Sequence, residues 1–244
     1  MSEPPLIEVR NATIWRGTTC VFDALNLTID QHERVAILGP NGSGKTTTFN
    51  LIMRELKQDE GEIYFEGREI STYQTHERVK MGISRTYQIP RPFSELTVTE
   101  NIRVGIIPDA LRQTITSNRR YADESKIGAS VGLTPNDLRM QPYGLSMGNL
   151  RRLELARTLA TKPKLLLLDE VFAGLTVGEI SELSELLKHK KEEGLTFIIV
   201  SHDLKTLAPL VDRVVVVNFG QLIADGSFED VIANKKVKEA YLGK

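Results

Sequence analysis

Apolar residues recur at alternate positions in two stretches near the start of the chain, 6–9 and 25–29. This period of two predicts half-buried strands. A different pattern follows at 35–38, where Val-Ala-Ile-Leu is continuously apolar, as expected for a strand covered on both faces. The Gly-rich segment 39–46 leads into residues 45–56, which read as a helix, and strand patterns return at 62–65 and 83–87. From 96 to 144 the chain turns polar, contains several helical stretches and lacks a strand pattern, so it reads as a helical insertion. Residues 150–159 read as a helix that returns to the main body. In the last third, strand patterns at 165–168, 196–200 and 213–217 alternate with helical ones at 179–192 and 204–210. Such alternation predicts an α/β fold with a mostly parallel sheet under helices. No internal repeat or low-complexity linker interrupts it.

Composition narrows the possibilities. With 244 residues the chain can bury a sizeable core, and its 41% hydrophobic and 26% charged residues are ordinary for a globular protein. The formal net charge of -1 supplies no positive field to draw in nucleic acid or anionic lipid. The basic runs Lys188-His189-Lys190-Lys191 and Lys235-Lys236 read as solvated helix faces. One cysteine, Cys20, cannot close an internal disulfide; beside Val21 and Phe22 it reads as an inert buried thiol, which suits a reducing cytosol. The start, Met-Ser-Glu-Pro-Pro, has no signal-peptide pattern, and the longest apolar runs are too short to cross a bilayer. Work at a membrane would therefore need a partner that supplies the span.

The strongest chemical signal is Gly39-Pro-Asn-Gly-Ser-Gly-Lys-Thr46, which matches G-x-x-x-x-G-K-[ST] between a buried strand and a helix. Backbone N–H groups of such a loop converge on phosphate oxygens, the glycines allow close approach, and the helix N-terminus adds partial positive charge. The expected nucleotide-binding residues are Gly39, Asn41, Gly42, Ser43, Gly44, Lys45, Thr46 and Thr47. Lys45 neutralises the β- and γ-phosphates, and the Thr46 hydroxyl faces Mg²⁺. A second signal is Leu165-Leu-Leu-Leu-Asp169-Glu170, a buried strand that ends in two acids. A parallel strand delivers its C-terminal end to the ligand crevice. Asp169 is then a candidate Mg²⁺ ligand and Glu170 the general base that orients the attacking water. Alone, the pair could be two solvated acids capping a strand; beside the phosphate loop the catalytic reading is preferred.

Leu145-Ser146-Met147-Gly148-Asn149, at the start of a helix shortly before Asp169, resembles the signature of ABC (ATP-binding cassette) transporter ATP-binding subunits. The resemblance runs over nearly the whole chain, 6–242. It implies a P-loop NTPase fold with an N-terminal antiparallel β subdomain and an inserted α-helical subdomain. The ATP-binding core would take 1–95 and 150–244, and the helical signature subdomain 96–149. It further implies that Ser146 and Gly148 bind the γ-phosphate held by a second ATPase subunit. Gln88 resembles the glutamine linking γ-phosphate and Mg²⁺ to the membrane partner, His202 the switch histidine, and Trp15 the aromatic that stacks on adenine. Taken singly, Gln88 could be surface, His202 structural and Trp15 core; their order and spacing carry the case. The expected ligands are ATP and Mg²⁺. The expected partners are transmembrane permease subunits, a second ATPase subunit and, indirectly, a solute-binding protein, with no nucleic acid. The expected location is the cytoplasmic face of the cell membrane.

Met147, Ala173-Gly174-Leu175, Arg85-Thr-Tyr-Gln-Ile-Pro-Arg-Pro-Phe and the ending Glu239-Ala-Tyr-Leu-Gly resemble the branched-chain amino-acid importer type. The ending equally resembles lipopolysaccharide-export ATPases, so an export-type or a soluble iron–sulfur-assembly cassette stays open. Three positions depart from the pattern: Asn149 replaces the usual glutamine, Val171 the usual proline, and Thr176 a common aspartate used in cross-talk between sites. A P-loop kinase or GTPase fits less well, because neither predicts the 145–149 signature and Asn234-Lys-Lys-Val lacks the aspartate of a guanine-reading motif. The Gln88-to-Glu95 segment, stiffened by Pro90 and Pro92, is either a surface for the permease or an ordinary Pro-rich loop.

Overall fold

The computed structural model describes residues 3–106, 119–201 and 204–242. Two sheets organise the chain. The first is antiparallel, in the order β2-β1-β4-β5, built from β1 (Ile7–Arg16), β2 (Thr19–Ile29), β4 (Glu60–Phe65) and β5 (Arg68–Glu69). The second has six strands in the order β10-β9-β3-β8-β7-β6. Here β3 (Arg34–Leu38), β6 (Ile83–Arg85), β7 (Leu165–Asp169), β8 (Thr196–Val200) and β9 (Arg213–Asn218) run parallel, and β10 (Gln221–Gly226) returns antiparallel beside β9.

The continuous apolar runs have the burial that their composition requires. Ala36, Leu38, Leu166, Leu168, Phe197 and Ile199 face one core, while Val35, Ile37, Leu165, Leu167, Ile198 and Val200 face the other. Successive side chains point to opposite faces of a strand, so a strand between two cores must be apolar throughout. The second core lies between the two sheets and includes Phe49, Leu51 and Ile52 of α1 (Lys45–Ile52). The first core takes the helical side: α3 (Val98–Ile106), α4 (Arg119–Ser130), α5 (Pro135–Arg139), α6 (Met147–Ala160) and α7 (Val177–Glu192). Among the described residues from 96 to 144 there is no strand.

Several boundaries differ from the sequence expectation, each for a local reason. Strand β1 continues past Val9 to Arg16, and the sequence pattern stops short because Asn11 takes φ 47 and register shifts break the alternation there. Strand β2 begins at Thr19 rather than 25, with Ala24 at φ 50 causing a similar interruption. Helix α1 stops at Ile52 rather than 56, because Arg54 adopts φ 62 and the Leu56 N–H donates instead to the Asn50 carbonyl at 3.0 Å. The expected helix 204–210 is only α8 (Leu204–Leu207); Pro209 has no N–H to continue it. The strand expected over 83–87 ends at Arg85. Helix α2 (Thr75–Met81), strands β5 and β10 and the final helices α9 (Phe228–Ala233) and α10 (Lys235–Leu242) carried no sequence expectation. Cys20 is half-buried rather than buried, and its Sγ contacts the Phe22 carbonyl at 3.2 Å.

Candidate nucleotide site

Register decides where the chemistry lies. Ile37 of β3 pairs with Val200 of β8, which pairs with Asp169 of β7, so the C-terminal ends of three parallel strands form one rim. The loop after β3 is the phosphate-loop sequence, and the residue after β7 is Glu170. This is the crevice where ligands meet an open parallel sheet. Asn41, Gly42, Gly44, Lys45, Thr46, Thr47, Gln88 and Glu170 line a single cavity of about 390 Å³.

Glycine is needed at two loop positions for stated reasons. Gly39 has φ 151, and a Cβ there would lie 2.1 Å from the Val217 carbonyl oxygen. Gly44 has φ 114, and a Cβ would lie 2.7 Å from the Phe22 ring. From behind, the Gly220 N–H donates to the Ser43 carbonyl at 3.1 Å and holds the loop in place. Lys45 is only 7% exposed, and its Nζ donates to the Gly39 and Pro40 carbonyls at 2.7 and 2.9 Å. Burial lowers its pKa, while the charges of Glu170 and Asp169 oppose that shift.

On the other wall, the Gln88 side-chain amide donates to Glu170 Oε2 at 3.0 Å. Glu170 itself has φ 47 and donates its backbone N–H to the Val200 carbonyl at 2.9 Å. A non-glycine residue in the left-handed region is uncommon, and such strain concentrates at functional positions. Asp169 lies just below, 1% exposed. Burial raises its pKa, and the hydrogen bond and charge of Arg85 lower it.

Among the buried polar atoms without a protein partner are two oxygens of this region, Ser43 Oγ and Asp169 Oδ1. Buried polar atoms are normally satisfied, so an unpaired loop hydroxyl and an unpaired carboxylate oxygen fit a site made for phosphate oxygens and a hard cation. The residues present therefore suit Mg-ATP. Magnesium prefers oxygen donors, and Asp169 and the Thr46 hydroxyl are the groups that would provide them.

The remaining expected residues stand apart from this cavity. Ser146 is exposed at the N-cap of α6, where its hydroxyl accepts the Asn149 N–H at 3.1 Å. The buried Gly148 donates its N–H to Glu179 Oε1 at 3.2 Å. Glu179 also completes a capping box with Thr176 at the start of α7. Trp15 lies on β1, 52% exposed, with its backbone N–H donating to Asp59 Oδ2 at 2.7 Å. Neither Ser146, Gly148 nor Trp15 lines the cavity. His202 falls outside the described residues.

A second concavity, about 450 Å³, opens beside the segment that follows β6; Tyr87, Arg91, Val104, Gly105, Glu154 and Arg157 are among its walls. Arg157 donates to the Arg91 carbonyl at 2.8 Å and lies 4.8 Å from the Phe93 ring centre. Arg151 donates to the Tyr87 carbonyl at 2.8 Å and also to that of Gln88. Ile89 and Phe93 nevertheless remain 72% and 46% exposed. Sequence reading missed Arg85, whose guanidinium reaches Asp169, Glu55 and Asn50. Its signal was a permanent cation inside a strand pattern, three residues before Gln88.

Comparison with known proteins gives a consistent result. The family profile described as ABC transporter matches residues 22–173, and that described as Branched-chain amino acid ATP-binding cassette transporter matches residues 221–244. The lipopolysaccharide export system ATP-binding protein LptB of Haemophilus influenzae is 35% identical over 225 residues, 91% of each chain. The high-affinity branched-chain amino acid transport ATP-binding protein LivG of Escherichia coli K12 is 34% identical over 253 residues, 98% of each chain. Among solved structures, a nucleotide-free ATP-binding cassette from an ABC transporter superposes with a TM-score of 0.88 at 30% identity, covering 98% of this chain and 100% of that one. A dimeric cassette bound to ADP and Pi in a post-hydrolysis state has a TM-score of 0.81 at 26% identity, covering 91% and 98%.

Proposed function

The chain belongs to the ABC transporter family as an ATP-binding subunit with ATPase activity, and from this premise we propose that it powers uptake of branched-chain amino acids or similar small polar solutes through a separate permease. The observation that carries the catalytic part is the single cavity joining the phosphate loop, Gln88 and Glu170. The loop amides and Lys45 bind and orient the triphosphate. Thr46 and Asp169, with Gln88 in reach of the same cavity, would hold Mg²⁺, which when bound supplies positive charge for the β- and γ-phosphates. Glu170, oriented by the Gln88 amide, takes the proton of the attacking water. As the new P–O bond forms at the γ-phosphorus, the bridging bond breaks and its electron pair leaves with ADP. His202, after β8, is proposed to hydrogen-bond the γ-phosphate, and Trp15 to stack on adenine.

Ser146 and Gly148 lie at the start of α6, away from their own cavity. We read them as the γ-phosphate contacts for a second ATPase subunit packed head to tail, a reading supported by the dimeric cassette that this fold matches. A helix N-terminus is suited to that anion. The cavity beside Tyr87 and Arg91, with Ile89 and Phe93 exposed in the same segment of chain, suits an apolar and acidic segment of the permease. Among the described residues no helix is long and apolar enough to cross a membrane, so attachment to the cytoplasmic face would come through that partner. The solute-binding protein would act only on the permease.

The C-terminal match to the branched-chain cassette profile and the 98% mutual coverage with LivG favour import of amino acids. The similarity to LptB favours lipopolysaccharide export as the second reading. The test is Glu170→Gln with ATP and Mg²⁺. Turnover is expected to fall by about a thousandfold, within the range of general-base loss. The variant should still bind ATP and run as a dimer on size exclusion. Turnover at the wild-type rate would exclude Glu170 as the base. Reconstitution with the candidate permease, assayed with labelled leucine and with lipopolysaccharide, separates the two cargo readings.

A further inference from the structure

Between the nucleotide cavity and the groove beside Tyr87 lies a buried guanidinium. Arg85 ends β6 with a side chain only 4% exposed. One terminal nitrogen donates to Asp169 Oδ2 at 2.7 Å. The other donates to Asn50 Oδ1 at 2.6 Å and to Glu55 Oε2 at 3.0 Å. Its carbon lies 5.0 Å from the Tyr87 ring centre and 5.6 Å from that of Phe49. The Tyr87 hydroxyl donates to the second Glu55 oxygen at 2.7 Å.

We propose that Arg85 is a positioning residue for magnesium: it holds Asp169 by one oxygen so that the other stays free for the ion of Mg-ATP. The proposal rests on the reading of Asp169 as a metal ligand. Three observations carry it. Asp169 Oδ2 is engaged by Arg85, whereas Oδ1 is buried and has no protein partner, so the two oxygens are already divided between two tasks. The Asp169 backbone is fixed too, with its N–H donating to Thr86 Oγ1 at 3.2 Å, so the remaining freedom is rotation of the carboxylate. Arg85 is itself braced by Asn50, Glu55 and two aromatic rings, and a ligand set by such a braced neighbour is pre-organised.

Stability alone is a poor explanation for the arrangement. Buried ion pairs lose about as much in desolvation as they gain in attraction, and an apolar pair of the same volume would serve a core as well. The bracing has a second consequence. Tyr87 lines the groove beside Arg91, so contact there reaches Asp169 through Glu55 and Arg85 in three hydrogen bonds.

The test compares Arg85→Lys, Arg85→Met and Asp169→Asn in the full chain. Two readouts are needed: the Mg²⁺ concentration for half-maximal ATPase, and Mn²⁺ binding to the protein–nucleotide complex by electron paramagnetic resonance. Nucleotide affinity in EDTA and the thermal midpoint are the controls. Arg85→Lys keeps a cation but loses the fork, so both metal midpoints should rise by about tenfold, with metal-free nucleotide affinity and saturating-Mg²⁺ kcat within about twofold. Arg85→Met should shift them further; if it does not fold, Arg85→Lys decides. Wild-type metal midpoints in the Arg85 variants, with shifted ones in Asp169→Asn, would overturn the role of Arg85 alone. Unshifted midpoints in Asp169→Asn as well would overturn the metal reading beneath it. A proportional loss of metal-free nucleotide binding and thermal stability, with no change in metal midpoint, would assign Arg85 to the core.

Discussion

Gln88 reaches across the cavity and donates its side-chain amide to the Glu170 carboxylate at 3.0 Å. The two come from different strands: Gln88 follows β6 and Glu170 follows β7. The contact therefore makes the orientation of the proposed base depend on the loop that also borders the groove. Loss of a hydrogen bond to a charged group costs about 1.5–3 kcal/mol, so Gln88→Ala should lower kcat by roughly ten- to a hundredfold. Its affinity for ATP should change little, because the phosphate loop is untouched. Steady-state ATPase together with nucleotide titration checks this; a wild-type kcat would remove Gln88 from the catalytic arrangement.

Lys45 poses the opposite case. Its ammonium is buried and rests on two loop carbonyls, leaving one of its three protons for a ligand. Lys45→Ala removes the only side-chain cation among the residues that line this cavity. The expected loss is about 2 kcal/mol of nucleotide binding, roughly thirtyfold in Kd. Isothermal titration with ATP would measure it, and an unchanged Kd would contradict the assignment of the loop.

Thr176 shows how a departure from the family pattern can be structurally conservative. Its hydroxyl accepts the Glu179 N–H at 3.3 Å, and the Glu179 carboxylate accepts the Thr176 N–H at 2.9 Å. The residue is therefore the N-cap of α7, a role that threonine and aspartate both fill. Thr176→Ala should cost about 1 kcal/mol, while Thr176→Asp should stay within about 0.5 kcal/mol of wild type. Urea unfolding distinguishes them, and a Thr176→Ala variant as stable as wild type would show that the cap contributes nothing.

Much of the sheet was legible because its strands lie between two cores. Such strands must be apolar throughout, so 35–38, 165–168 and 196–200 announce themselves. The phosphate loop and the acids at the end of β7 were legible for a related reason: the proposed contacts with phosphate and metal call for particular residue types at fixed spacing. What escaped were elements whose pattern is interrupted or short. Bulges around Asn11 and Ala24 hid half of β1 and β2. Helix α2 has only seven residues, and its capping box uses Gln74 rather than serine or threonine. The network of Arg85, Glu55 and Tyr87 was illegible because its members are far apart in the chain. Only the pairing of β6 with β7 brings Arg85 to Asp169.

Arg78 was missed in the same way, and it bears on stability rather than catalysis. It is fully buried in α2, yet its guanidinium donates to the carbonyls of Leu51, Ile52, Ile70 and Tyr73 at 2.6 to 3.1 Å. Leu51 and Ile52 end α1, where carbonyls lack intrahelical partners. One side chain thus closes the helix that begins at the phosphate loop and ties it to α2 and to the β5–α2 connection. Arg78→Met should cost about 3 kcal/mol, the scale for stranding buried polar groups, and lower Tm by roughly 6–12 °C. Burial, with Arg54 nearby, lowers the Arg78 pKa to about 10. A folded pKa below the unfolded one means that stability linked to this proton rises only above about pH 10, where the unfolded chain binds more protons. Arg78 is charged in both states at neutral pH, so the loss should be flat between about pH 6 and 9. Calorimetry across that range provides the check: a Tm within about 2 °C of wild type would show that water replaces the guanidinium without cost.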